Sequence, residues 1–183
     1  MDEYIELLDK HNKPSGQRIL KSEAHRIGLH HASVHIWFFT DKNEVLLQKR
    51  HASKLTFPNL WDISVAGHIA HSELPLAAAI REIEEEIGIT TNEKALRNIG
   101  TSNHKHTHPN GIIDYELHHI YIARLKSNLS DLKIQEEEVS EIKLIPIDVL
   151  KFELKNNKES YVPHGEDYYN RIFDAIKQFK QNF

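Results

Sequence analysis

The sequence predicts one domain of the α/β (α+β) class, a mixed β-sheet with helices packed on it. Three observations carry that reading. The chain has 183 residues, the length of a single domain at about 100 to 200 residues each. With 39% hydrophobic and 27% charged residues, seven Gly and six Pro, it has the composition of an ordinary globular protein and not of a disordered or low-complexity chain. Short strand-like runs bounded by turn residues are interspersed with stretches of helical period. No internal repeat and no Gly-, Ser- or Pro-rich linker divides them.

Residues 4–9 (Tyr-Ile-Glu-Leu-Leu-Asp) and 17–20 (Gln-Arg-Ile-Leu) read as short strands, joined into a hairpin by the turn at Asn12-Lys13-Pro14-Ser15-Gly16. Ser22 is placed to cap a short helix ending near Gly28. Residues 32–39 (Ala-Ser-Val-His-Ile-Trp-Phe-Phe) and 44–49 (Glu-Val-Leu-Leu-Gln-Lys), separated by Thr40-Asp41-Lys42-Asn43, read as an antiparallel pair. A loop from Ala52 to Asn59 leads to a strand over 61–66, which runs directly into Gly67 and an acidic stretch. Strand signals resume at 95–104 and 112–124, and His108-Pro109-Asn110-Gly111 makes them a second hairpin. Residues 141–147 form a last strand that Pro146 closes or places at an edge, followed by helices near 148–154 and 166–181. The expected units are 1–30, a hairpin and short helix belonging to the same compact body, a central domain over 31–161, and a C-terminal helix within 162–183 packed on it.

Composition excludes several classes of function. No apolar run approaches the 18 or more residues of a membrane helix, and the N-terminus, Met1-Asp2-Glu3-Tyr4-Ile5-Glu6, is acidic where a signal peptide is basic and then apolar. The expectation is a cytoplasmic protein with no membrane partner. Zero cysteines remove disulfides, thiolate zinc sites, iron–sulfur clusters and cysteine nucleophiles together, so any metal sits on oxygen or nitrogen. Net charge is −4, and residues 67–89 alone, with five Glu and one Arg, carry all of it. The remainder is formally neutral and shows no basic stripe of the kind a nucleic-acid polymer requires.

That acidic stretch carries the chemistry. On a helix at about 100° per residue, Leu76, Ile80, Ile83 and Ile87 fall in one sector. Glu82, Glu85 and Glu86 share another face, and Glu84 points elsewhere. Pro75 suits the first turn and Gly88 a C-terminal cap, whereas Leu74 is a poor N-cap. Glu82 repels Glu85 and Glu86 at i+3 and i+4, costing the isolated helix roughly 0.2–0.5 kcal/mol per pair. Arg81 can offset this by pairing with Glu85 and with Glu73 from the preceding loop. Glu82 and Glu86 are then free for a hard dication, Mg²⁺ or Mn²⁺, which suits carboxylates and phosphate oxygens.

The full string is Gly67, five residues, Glu73, seven residues, Arg81-Glu82-Ile83, one residue, Glu85-Glu86, one residue, Gly88-Ile89. It resembles the signature of the Nudix hydrolases at every specified position, a coincidence with a chance probability on the order of 10⁻⁷. The resemblance covers about residues 31–161. It implies a mixed sheet sandwiched between helices, and hydrolysis of a diphosphate in a nucleoside diphosphate linked to some group X or a related small molecule. It also implies that Glu82, Glu85, Glu86 and the Gly67 carbonyl hold the metal while Arg81 and Glu73 brace the helix. The general base varies in this family, and Glu82, Glu116 and the Glu136-Glu137-Glu138 run are all candidates.

Leu46-Leu47-Gln48-Lys49-Arg50, Thr56-Phe57-Pro58-Asn59-Leu60-Trp61 and Ser64-Val65-Ala66-Gly67-His68 further resemble the subgroup containing type I isopentenyl-diphosphate isomerase. The catalytic cysteine of that enzyme falls at Ala66, which has no proton to give, so hydrolysis outranks isomerisation. A non-catalytic diphosphate-binding module is the third reading. The isomerase glutamate matches Glu116, and its metal-ligand pattern is echoed by His25, His31, His68, Asp114 and Glu116. That implies a second site for Zn²⁺ or Mn²⁺, alongside the reading of each His as a surface or hydrogen-bonded residue. Lys49 and Arg50 are candidates for a phosphate clamp or for surface pairing with Glu. Phe38, Phe57 and Trp61 are expected in the core or pocket wall, and at least two of His104, His106 and His108 in water. The group X and the oligomeric state stay open, a homodimer among the alternatives.

Overall fold

A computed structural model of the protein describes residues 2–181. Strands β1 (Tyr4–Leu8) and β2 (Pro14–Leu20) form the expected N-terminal hairpin. Helix α1 (Lys21–Ile27) ends on Gly28, whose φ of 70° is the left-handed cap that glycine adopts without strain. Ser22 does not cap it. The helix begins one residue earlier, after Leu20, and the Ser22 hydroxyl donates to Asp2 Oδ2 instead.

Strand β3 (His31–Phe39) is buried along its whole length. It runs parallel to β8 (Ile113–Arg124), from His31↔Glu116 to Phe39↔Arg124, and antiparallel to β6 (Val65–His68), from Ser33↔His68 to Ile36↔Val65. A strand covered on both faces reads as a continuous apolar run, and residues 36–39 are such a run. Strand β7 (Arg97–Thr107) completes the second hairpin with β8. On the other side, β4 (Glu44–Arg50) pairs with β9 (Val139–Pro146) and with the two-residue β5 (Trp61–Asp62).

The antiparallel pair expected of residues 32–39 and 44–49 forms only at its closed end, at Phe39↔Val45. The strands then splay, and the expected strand over 61–66 fills the opening by splitting into β5 and β6. Ser64, between them, accepts from the Phe38 N–H at 2.8 Å and donates to the Leu46 carbonyl at 2.6 Å, bridging the separated edges.

Helices cover both faces of the sheet. Helix α2 (Pro75–Ile87) buries Ala78, Ala79, Ile83 and Ile87 against Val34, Ile36, Phe38, Leu46 and Val65. Helices α3 (Ile147–Asn156) and α4 (Glu166–Gln181) bury Leu150, Ile172, Phe173 and Ile176 against Trp37, Phe39, Val45 and Ile122. Phe38 therefore takes the core place expected of it, and Pro146 ends its strand. Positions 182 and 183 of the expected C-terminal segment lie outside the described residues. No helix among the described residues is long and apolar enough to cross a membrane.

Candidate active site

The pleat of the sheet assembles the site. Side chains at alternate positions share a face, and the ladder register puts His31, Ser33 and His35 of β3 beside Glu116 and His118 of β8 and Ala66 and His68 of β6. His104 and His106 of β7 lie opposite Glu116 and Asp114. This polar half of the face opens into a cavity of about 830 Å³, whose other wall includes Glu82, Glu85 and Glu86 of α2.

Gly67 lets α2 approach. Any Cβ at Gly67 would fall inside the Glu82 carboxylate, so the missing side chain is what allows that carboxylate to lie on the β6 backbone. Arg81 ties the helix down. Its Nε and Nη2 each donate to Glu73 at 2.9 Å, and Nη2 also donates to the His68 carbonyl at 3.0 Å. Its Nη1 donates to Glu82 at 2.7 Å and Glu85 at 3.0 Å. The guanidinium thus holds Glu82 as well as the two carboxylates expected of it.

Glu86 differs from its neighbours. It is 5% exposed, and its Oε2 accepts from Gln48 Nε2 at 3.1 Å and the Ala66 N–H at 3.2 Å. Burial pushes its carboxyl up to about 8, and the charge of Glu82 adds to the effect. Burial raises Glu82 too, against the pull of Arg81. Lys54 and Lys21, the lysines lining the cavity, are taken by Glu138 and Glu3. Two desolvated carboxylates with one guanidinium between them require further positive charge, so the donor set fits a hard dication. Glu85 remains half exposed at the rim.

The sign of the pH dependence follows. A carboxyl whose folded pKa is raised stabilises the fold at low pH, and that contribution is lost as pH rises from about 4.5 to about 8. A dication held there would compensate the charge that then appears. The thermal midpoint in Mg²⁺ is expected to exceed that in chelator by a margin that widens from pH 5.5 to 8. A Glu86→Gln variant is expected to lose the widening, and scanning calorimetry of both proteins checks it.

The second predicted group also assembles, with one change. One ligand atom each from His25, His31, His68 and Glu116 lies within 4.8 Å of the others. His25 Nε2 is 3.0 Å from His68 Nε2, and the latter is 3.6 Å from Glu116 Oε1. His31 Nδ1 bonds the Leu29 carbonyl, leaving its Nε2 buried without a partner, 3.8 Å from Glu116. Asp114 stands behind this group: its two oxygens face His25 Nδ1 at 3.0 Å and His108 Nε2 at 2.7 Å. Burial pushes His31 down to about 4, so it is neutral at physiological pH. Burial opposes the ionisation of Glu116, yet His68, His118 and His31 hold it well below the carboxylate range.

Other candidates fall elsewhere. Lys49 lies over the Trp61 ring at 5.8 Å and does not line the cavity. Arg50 lines it, but donates to the Thr56 carbonyl from Nε and Nη2, to Thr56 Oγ1 and to Asp62 Oδ2. With five N–H groups in a guanidinium, at most one is left for a phosphate. Glu137 and Glu138 reach the cavity, whereas Glu136 is exposed outside it. Trp61 packs against the core beneath α3 and α4, and Phe57 lines the cavity and meets His108 edge-on at 4.6 Å. The expectation that two of the three hairpin histidines face water fails: His104 and His106 are half-buried and His108 is buried on Asp114. Gln48, Asp62 and His164 were missed. Only Gln48 left a signal, an amide on a strand otherwise apolar inward.

Comparison with known proteins identifies relatives of the whole domain. The chain matches the NUDIX domain over residues 29–165. It is 33% identical to Nudix hydrolase 3 of Arabidopsis thaliana over 97% of its own length, while spanning only 24% of that longer protein. It is 30% identical to an uncharacterized Nudix hydrolase of Clostridium acetobutylicum, covering 96% of this chain and 97% of the relative. It is also 33% identical to isopentenyl-diphosphate Delta-isomerase 2 of Photorhabdus laumondii, covering 88% of this chain and 87% of the relative. The crystal structure of DR0079 from Deinococcus radiodurans shares the fold with a TM-score of 0.71 at 16% identity, covering 92% of this chain and 98% of that one. The matched domain, the shared fold and the signature on α2 together place this chain in the NUDIX family, as an enzyme of the pyrophosphohydrolase type.

Proposed function

We propose that the protein hydrolyses the diphosphate bond of a small organic diphosphate, such as a nucleoside diphosphate linked to X, with Mg²⁺ or Mn²⁺ held by Glu82, Glu85, Glu86 and the Gly67 carbonyl. The observation that carries this reading is the burial of Glu82 and Glu86 at the wall of one cavity with too little positive charge to balance them. When bound, the dication neutralises phosphate charge and lowers the pKa of attacking water. Arg81 fixes Glu82 and Glu85 relative to β6, and Gln48 and the Ala66 N–H orient Glu86. Glu82, Glu116, Glu137 and Glu138 all line the cavity and are the carboxylates available to take the proton of water.

The imidazole group supports a second ion, Zn²⁺ or Mn²⁺, on His25, His31, His68 and Glu116, with Asp114 orienting His25 from behind. Ala66, on the same sheet face as His35 and His68, argues against proton transfer to an isoprenoid, since its methyl group can neither give nor take a proton. The test is release of phosphate or nucleoside monophosphate from a panel of diphosphates in Mg²⁺ or Mn²⁺, with isopentenyl diphosphate included. Hydrolysis of at least one member that ceases in chelator is the expected result. Isomerisation without hydrolysis, or tight binding without turnover, would replace this reading with one of its alternatives.

A further inference from the structure

Beyond the carboxylates of α2 and the group around His68, a third set of ligand-type side chains converges in the cavity. One ring nitrogen each of His35, His118 and His164 lies within 4.8 Å of the others. His35 and His118 come from the parallel pair β3 and β8 and are 4% and 5% exposed. His164 arrives from the loop before α4. All three line the cavity.

Each imidazole is anchored through one ring nitrogen. His35 Nδ1 is 2.8 Å from the Tyr168 hydroxyl, His118 Nδ1 is 2.8 Å from Ser33 Oγ, and His164 Nε2 is 2.7 Å from Asp62 Oδ1. This is the arrangement that fixes tautomer and ring orientation in metal-ligating histidines, the carboxylate behind one of them included. His118 Nε2 is buried with no hydrogen-bond partner. An unpaired imidazole nitrogen costs about 1–3 kcal/mol of desolvation, and the His118 ring is stacked on that of His35, centroid to centroid 3.7 Å.

We infer that His35, His118 and His164 form a separate transition-metal site for a borderline dication such as Zn²⁺. Three nitrogen ligands and no thiolate suit Zn²⁺, Co²⁺ or Ni²⁺ and disfavour Mg²⁺, which demands oxygen. Three protein ligands leave a coordination position open, as in catalytic rather than structural zinc sites. A position left open there would lie in the cavity that Glu82 and Glu86 also line, where a water or an anionic oxygen of a bound molecule could fill it. Glu116 separates this site from its neighbour, with Oε2 3.5 Å from His118 Nδ1 and Oε1 turned to His68.

The test counts Zn²⁺ per chain on stripped full-length protein re-equilibrated with Zn²⁺ in excess Mg²⁺, then desalted. It is run on wild type, His25→Ala, His164→Gln and the double variant, so that the group around His68 does not confuse the count. His164→Gln is expected to hold one Zn²⁺ fewer than wild type, and the double variant one fewer than His25→Ala. Because His164 sits in a loop, its glutamine variant is expected to keep the wild-type circular dichroism spectrum. Co²⁺ in the His25→Ala protein is expected to give visible absorption of low-coordinate intensity that His164→Gln removes. Equal Zn²⁺ content with and without His164, or a His25→Ala protein that takes up no Zn²⁺, would overturn the assignment. Co²⁺ absorption that survives in the double variant would overturn it as well.

Discussion

Replacing Glu86 by Gln is expected to abolish turnover while leaving the fold intact or strengthening it. The substitution preserves volume and can still accept from Gln48 Nε2 and the Ala66 N–H. It removes a negative charge that burial makes unfavourable, since the folded protein binds that proton up to about pH 8. Metal-free stability at pH 8 should therefore hold or rise. The same charge is what the proposed Mg²⁺ site needs, and loss of one carboxylate ligand is expected to lower kcat/KM by about 10³-fold or more, several kcal/mol of transition-state stabilisation. Steady-state kinetics and thermal melts in chelator, on one preparation, separate the two effects. A variant with wild-type turnover would sink the assignment of Glu86.

Gly67→Ala is expected to act through Glu82. The new methyl group would occupy the space of the Glu82 carboxylate, which is the far end of a flexible side chain, so Glu82 must swing aside. The fold should survive at a cost of about 1–3 kcal/mol, typical of overpacking. Catalysis should suffer more, because displacing a metal ligand by about 1 Å is enough to lose roughly 10²-fold. Glu82 is also bonded to Arg81 Nη1 at 2.7 Å, so its movement disturbs the brace to Glu73 and the His68 carbonyl. The readouts are Mg²⁺ dependence of kcat/KM and the denaturation midpoint. Unchanged Mg²⁺ affinity would mean that Glu82 does not need the place Gly67 leaves for it.

The parts legible in the sequence are those fixed by local periodicity. A helix places residues three and four apart on one face whatever surrounds it, so the shared face of Glu82, Glu85 and Glu86, the Arg81 pairing and the Gly88 cap could all be read from spacing. Alternation along residues 112–118 likewise put Asp114, Glu116 and His118 on one side of a strand. The hairpin histidines depart from expectation because exposure is a property of what packs on a segment, and the β7–β8 hairpin lines the cavity; Ser22 departs from it because its hydroxyl is bonded to Asp2 and not to the first turn of α1.

The sequence by itself determined the family signature, the mixed strand and helix composition, and a cluster of carboxylates on one helix. Packing alone buries Glu82 and Glu86, sets Gln48 against Glu86, turns Lys49 away to Trp61, and brings His164 to His35 across 128 intervening residues. Helix faces follow from bonds between near neighbours, whereas a site made across β3, β8, β5 and the loop before α4 depends on ladder register and on helices packing over both faces of a splayed sheet. Those long-range contacts set the desolvation that turns an acidic helix face into a demand for a cation.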